Sequence, residues 1–253
     1  MTYRELPAPT ALRGAVECCW VAEVGPGEPA QLQPVLPDAC MDLVWTGSAL
    51  VVAGPDTRAH PVRREPGVCS AGLRFAPGML PALLGVPAEA LRDERVPVAD
   101  LHPVLARDAM ARLEYGAAPA AALAGLAMAL PGEPAGTEVR AAVTRLDRGE
   151  TAAEVADALG WTTRSLHRRS LAAFGYGPAV LRRVLRFRRA AALLHGGVAL
   201  ADAAAIAGYA DQPHLSREVR ALAGVAPSRL SRNPHPSGAN RSTPLPSGSL
   251  TVA

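Results

Sequence analysis

Seven polar residues stand at matched places in two stretches of this chain, and each is of a type that can read a nucleic-acid base. The first stretch, TAAEVADALGWTTRSLHRRSLAAFG from 151 to 175, offers Thr163, Arg164, His167 and Arg168. The second, LADAAAIAGYADQPHLSREVRALAG from 200 to 224, offers Gln212, His214 and Arg217. A guanidinium can hold O6 and N7 of guanine through two hydrogen bonds, and a glutamine amide suits N6 and N7 of adenine. Glu218 can accept from N4 of cytosine or pair with Arg217 or Arg220, and the pair is the preferred reading. Enzyme chemistry finds little here. G-x-S-x-G, H-E-x-x-H and G-x-x-x-x-G-K are all absent from the sequence, so no catalytic residue is assigned. His60, His102 and His195 are isolated and read as surface or capping groups.

Such side chains need a rigid mount. Each stretch reads as an Ala-rich helix, a glycine followed by an aromatic residue, a polar turn, and then the Arg- and His-bearing helix. Ala156 and Ala204 let two helices cross closely, while Gly160 and Gly208 can take the positive φ that ends the first helix. Leu166 anchors the first polar helix, leaving Thr163, Arg164, His167 and Arg168 facing away from the core. Leu215, Val219 and Leu222 anchor the second, leaving Gln212, His214 and Arg217 outward. This is a helix-turn-helix pattern, present twice, whose second helix can enter a DNA major groove. Between the copies lies PAVLRRVLRFRRAAALLH, 178 to 195, with Pro178 suited to a first helical position. Val180, Val184, Phe187, Ala191 and Leu194 recur as one helix face requires. A helix of 18 residues spans about 27 Å, a rod able to hold two readers near the ~34 Å spacing of successive grooves. Arg182, Arg183 and Arg186 on that rod are candidates for phosphate contact.

At these residues the chain resembles the AraC/XylS family of transcription regulators, over roughly 138 to 230. GYADQPHLSREVRALAGVAPSRL matches the family's second helix-turn-helix and LGWTTRSLHRRSLAAFGYGP the first. The resemblance implies base reading by the residues at Arg164, His167 and Arg168. It also shows a departure: Ser170 stands where the family has a core aromatic, and Arg169 where an apolar residue is usual. A more loosely packed first recognition helix is the expectation.

Charge divides the chain. Residues 1–137 hold 10 Arg against 15 acidic residues, and 138–232 hold 15 Arg against 8. An acidic front joined to a basic back suits a sensor attached to a polyanion binder. The chain has no Lys, and with so much Ala, Gly and Pro this points to a GC-rich bacterial genome. Cys18, Cys19, Cys40 and Cys69 lack the close pairing of zinc ligands and are expected to be reduced, buried thiols. Neither a signal peptide nor a membrane-length apolar run is read in the sequence, so a cytoplasmic protein without cofactor is expected.

The expected fold is α+β: a mainly β sensor-like N-terminal domain, then helices, then an all-α domain of two helix-turn-helix units joined by a long helix. Residues 1–131 form the first domain, β-rich to about 99 and helical over 101–131, and 132–137 (GEPAG and its neighbour Thr137) are the linker. Thr137 is expected to cap the helix that opens the DNA-binding domain at 138–232. Four Pro, four Ser and two Gly mark 233–253 as a disordered tail. In the front half Trp20, Asp38, Asp42 and Arg74 are candidates for an effector pocket, with a structural carboxylate–Arg pair as the preferred alternative. Those segments also resemble an uncharacterised N-terminal domain found on some AraC-like regulators. The expected function is a sequence-specific transcription regulator that binds promoter DNA under control of a small effector. RNA polymerase and a second copy are candidate partners. Two alternatives stay open: a front half that only oligomerises, and a methyl-accepting cysteine of the DNA-repair type.

Overall fold

The computed structural model describes residues 2–232, so the tail expected at 233–253 lies outside the described residues. The chain opens with strands β1 (Thr2–Pro7), β2 (Val16–Glu23), β3 (Gln31–Val35), β4 (Met41–Trp45), β5 (Leu50–Ala53), β6 (His60–Arg64) and β7 (Cys69–Phe75). A short helix α1 (Met79–Leu84) and strand β8 (Arg95–Pro97) follow, then α2 (Val98–Leu101), α3 (Pro103–Glu114) and α4 (Pro119–Ala129). Six strands pair antiparallel in the order β1-β2-β7-β4-β5-β8, while β3 and β6 form a separate two-stranded ribbon.

Alternation along the strands gives the sheet two different faces. On one face Leu43, Val52, Leu73 and Phe75 are wholly buried beneath the helices, as is Leu123 of α4. Each such side chain contributes about 1.5–3 kcal/mol by leaving water. The other face carries the row Trp20–Gly72–Val44–Val51 and, beside it, the row Cys18–Arg74–Asp42–Ala53–Arg95, as the pairing register sets. A Cβ at Gly72 would stand 2.4 Å from the Trp20 indole, so glycine is what lets that ring lie over β7.

The rest of the described chain is helical: α5 (Thr137–Asp147), α6 (Ala152–Ala158), α7 (Thr163–Phe174), α8 (Pro178–His195), α9 (Leu200–Ala207), α10 (Gln212–Ala223) and α11 (Pro227–Arg232). Helix α8 is the axle. Leu181, Val184 and Leu185 of its first half join the core made with α5, α6 and α7. Phe187, Ala190, Ala191 and Leu194 of its second half join the core made with α9 and α10. Pro178 begins α8 as expected. Val180 departs from expectation, because α8 is packed on several sides and turns Leu181 and Leu185 inward while Val180 stays exposed. Thr137 also differs: it is the first helical residue, Gly136 takes the cap position, and no side-chain cap bond forms.

The front half is packed against this helical part. Leu36 enters the core around α9 and α10, and Ala39, three residues on, enters the core around α6 and α7. Ala59 N donates to Leu222 O at 2.6 Å, and Arg92 Nη1 donates to Gly175 O at 3.1 Å. Arg188 Nη2 bonds both carboxylate oxygens of Glu17 at 3.1 and 3.0 Å. Within the segment 132–137, Gly132 N donates to Leu83 O at 3.0 Å.

Candidate functional site

Helices α7 and α10 are set by the same local devices. Gly160 and Gly208 hold φ of 66° and 78°, the left-handed turn that closes α6 and α9. Thr162 Oγ1 then accepts from Ser165 N at 3.1 Å, and Asp211 Oδ1 accepts from His214 N at 2.6 Å. Each bond satisfies one of the free N–H groups at a helix start and contributes about 1 kcal/mol. Thr151 and Glu154 build a reciprocal capping box on α6, at 2.7 and 3.3 Å. With Leu166, Leu215, Val219 and Leu222 buried, Thr163, Arg164, His167, Arg168, Gln212 and Arg217 are all exposed. His214 is different. Its ring stands edge-on to Tyr209 at 5.2 Å and is half-buried, so it is tied to the turn that precedes its own helix. His167, though exposed, lies so near Gly177 that a Cβ there would approach its Nε2 to 2.8 Å.

The arginines of α8 are engaged within the protein. Arg183 Nε and Nη2 bond Glu218 at 2.7 and 3.1 Å, a two-pronged pair that ties α8 to α10. Glu218 thus finds neither Arg217 nor Arg220, because the crossing of α8 and α10 brings Arg183 closer than the neighbours on its own helix. The Arg186 guanidinium lies 4.4 Å over the Tyr209 ring. Arg182 Nη1 reaches Gly149 O at 3.4 Å, and Arg189 Nη1 bonds Asp147 Oδ1 at 2.7 Å. These arginines act here as struts, which sequence reading missed because it could not see their partners. On α7, Arg169 stacks at 4.4 Å over Trp161, so the unusual arginine covers an aromatic face. Ser170 is 1% exposed, and its hydroxyl has no partner among the described residues. The loose packing expected there is not solvent exposure: the C-terminal end of α7 rests on α1 and on the turn at 88–91, with Phe174 against Gly78.

The front-half candidates separate into two sets. Arg74 is buried, with Nε 3.4 Å from Asp38 and 3.6 Å from Asp42 and Nη1 3.5 Å from Glu5. Burial works against the Arg74 charge, but Asp42 and Asp38 outweigh it and hold that group well above its ordinary range. Burial pushes the Asp42 carboxyl up to about 7 in spite of Arg74. Arg74 therefore stands in one ionic cluster with Asp38, Asp42 and Glu5. Trp20, together with Asp42 from that cluster, lines a cavity of about 500 Å³ between the sheet and the β3–β6 ribbon. His60, expected from the sequence to be a surface or capping group, lines it too, as do Arg64 and Arg95, which the sequence did not mark. Strand register brings them in, and no local spacing announces it.

All four cysteines are free. Burial pushes Cys18 up to about 12 and raises Cys19, Cys40 and Cys69, the opposite of what a nucleophilic thiolate needs. That weighs against a methyl-accepting cysteine. Among the described residues no group of three or more His, Cys, Asp or Glu is placed to hold a metal ion. No helix among them is long and apolar enough to cross a membrane.

Two families match the chain: a helix-turn-helix domain over residues 155–233 and a domain of unknown function over residues 4–97. No curated protein matches. Among solved structures, the C-terminal domain of AraT, a response regulator from Geobacillus stearothermophilus, is 24% identical. It covers 38% of this chain and 85% of its own, with a TM-score of 0.36. ToxT from Vibrio cholerae is 10% identical over 92% of this chain and 98% of its own, with a TM-score of 0.47.

Proposed function

We propose, from the helix-turn-helix match over residues 155–233 and the match to a domain of unknown function over residues 4–97, that the chain is an AraC-type, sequence-specific transcription regulator that reads two adjacent major-groove segments. The observation that carries the reading is the pair α7 and α10. Both are capped by a side chain, both are anchored by buried leucines, and both project exposed polar side chains from opposite halves of one 18-residue helix. At 1.5 Å per residue that helix separates the two by up to about 27 Å, within reach of successive grooves. Arg164, Arg168 and Arg217 are assigned to guanine and Gln212 to adenine, with Thr163 and His167 at the edge of the same face. Arg183 and Arg186 hold the mount and do not serve as phosphate contacts. Residues 138–232 are the DNA-binding unit, 1–131 the controlling one and 132–137 the join.

Control by a small effector has its own support. Val35 and Asp42 line the front-half cavity, and the segment between them supplies Leu36 to one helix-turn-helix core and Ala39 to the other. Its Asp38 carbonyl also accepts from Arg188 of α8 at 3.3 Å. A ligand that shifts β3 against β4 therefore acts on both reading units and on the helix joining them. The test is selection of bound sequences from randomised duplex DNA with the full chain. Enrichment of two short boxes about one helical turn apart, with binding that falls steeply as salt rises, is the expected result. Recovery of random sequence removes the reading.

A further inference from the structure

The cavity between the sheet and the β3–β6 ribbon contains a charge without a counterion. Arg64 of β6 reaches in beside Ser70, and its contacts are all neutral: Gln33 Oε1 accepts from Nε at 3.0 Å, Ser70 Oγ accepts from Nη1, and the Trp20 ring lies 5.6 Å from the guanidinium carbon. Burial lowers its pKa, and no carboxylate among the described residues offsets that cost. The other charges around the cavity are matched. Arg95 holds Asp56 through two bonds at 2.9 and 2.6 Å, Arg63 holds Glu65 at 2.6 Å, and Asp42 belongs to the cluster around Arg74. Burial keeps His60 toward its neutral form.

A second observation falls at the same wall. Trp20 is 6% exposed, lines the cavity, and has an indole N–H with no partner among the described residues. A desolvated cation and an orphaned donor together are complementary to an anion that accepts hydrogen bonds. Val35, Val44, Val51 and Val62 supply an apolar part of the wall facing the same space.

We propose that this cavity binds an organic carboxylate, its acid group held by Arg64 and Trp20 and its apolar body lying over Val44 and Val51. The strand register limits its length. Ser70, at the Arg64 end, and Arg74, beside Asp42 at the other, are four residues apart on β7, a distance of about 13 Å. An apolar chain or ring of moderate size fits that span and the volume of about 500 Å³. An amine has less to gain: Asp42, the acidic side chain that the sheet contributes to the cavity, makes no hydrogen bond through Oδ1 but already has the Arg74 charge 3.6 Å away. The biological use of such a site rests on the effector-controlled reading above, whereas the binding itself can be measured without DNA.

The experiment is calorimetry on the full chain with hexanoate and 4-phenylbutyrate, each compared with its amide and its amine. Both carboxylates are expected to give saturable heat, with the neutral and cationic counterparts bound at least about tenfold more weakly. Arg64→Gln should weaken the carboxylates by about 10- to 100-fold and leave the amides little changed, a contrast that a folding defect cannot produce. Trp20→Phe keeps an aromatic ring but drops the N–H with the second ring of the indole, and should weaken the carboxylates several-fold. Amides or amines that bind as tightly as the acids overturn the proposal. So does the absence of saturable heat from either acid up to about 5 mM, or an unchanged acid affinity in Arg64→Gln. A chain that binds the acids but selects no operator loses the regulator reading and keeps this one. The reverse result separates them the other way.

Discussion

Removing the Arg183 side chain distinguishes a strut from a phosphate contact. Its guanidinium makes two bonds to Glu218, at 2.7 and 3.1 Å, and the side chains are 39% and 17% exposed. A fully exposed pair contributes about 0.2–1 kcal/mol, and a two-pronged charged pair with one partner mostly buried should reach about 1–2 kcal/mol. Arg183→Met leaves the Glu218 carboxylate half-enclosed without its partner, so the single variant should lose about 2 kcal/mol of stability. Arg183→Met/Glu218→Met removes both charges and fills the space with apolar atoms, and should recover most of that loss. Urea denaturation of the four proteins in a double-mutant cycle measures the coupling directly. DNA binding supplies an independent readout. If Arg183 touched phosphate, its loss would lower the slope of log affinity against log salt by about one; the committed guanidinium predicts an unchanged slope. Strictly additive stabilities together with a reduced slope would falsify the assignment of Arg183 as a strut.

Two further outcomes follow from buried polar groups. Asp42 has its carboxyl pushed up from its ordinary value of 3.8 to about 7 by burial, so between those values the folded chain binds a proton that the unfolded chain does not. Asp42 therefore makes stability fall as pH rises from about 4 to about 7, by up to roughly 4 kcal/mol, and Asp42→Asn should flatten that part of the melting profile; parallel profiles in the two proteins count against the shift. Ser170 is 1% exposed with an unpartnered hydroxyl, so Ser170→Ala should raise stability by about 0.5–1.5 kcal/mol, and a lower melting temperature would reveal a hydrogen bond that the geometry does not show.

The C-terminal units were legible because their determinants are local. A glycine that must take positive φ, a capping Thr or Asp, and leucines at helical spacing all lie within a dozen residues of the side chains they position. Gly160 and Leu166 carried the reading of α7 from the sequence alone, while the cap at Thr162, equally local, went unread. The front half was half legible. Short Val- and Trp-rich runs announced strands, but strand order and register are set by contacts between distant segments. Trp20 and Asp42 were found by residue type, whereas His60, Arg64 and Arg95 reach the same cavity only through the register of β6 and β8. The arginines of α8 show the same limit, since Arg183 and Arg188 have partners 35 and 171 residues away. Helical periodicity could show that they leave the core, but not that they meet Glu218 and Glu17.

The central claim is that α7 and α10 each read bases. Its most direct test is the base preference of Arg168→Ala and Arg217→Ala, determined on randomised operators beside the unaltered chain. Both arginines are exposed and stand two residues beyond the buried Leu166 and Leu215. Each substitution should weaken binding to the selected operator by about 1–3 kcal/mol and relax the preference at one or two base pairs, with the two affected places about one helical turn apart. A uniform loss across all sequences, with base preference unchanged in both variants, would contradict base reading by these helices.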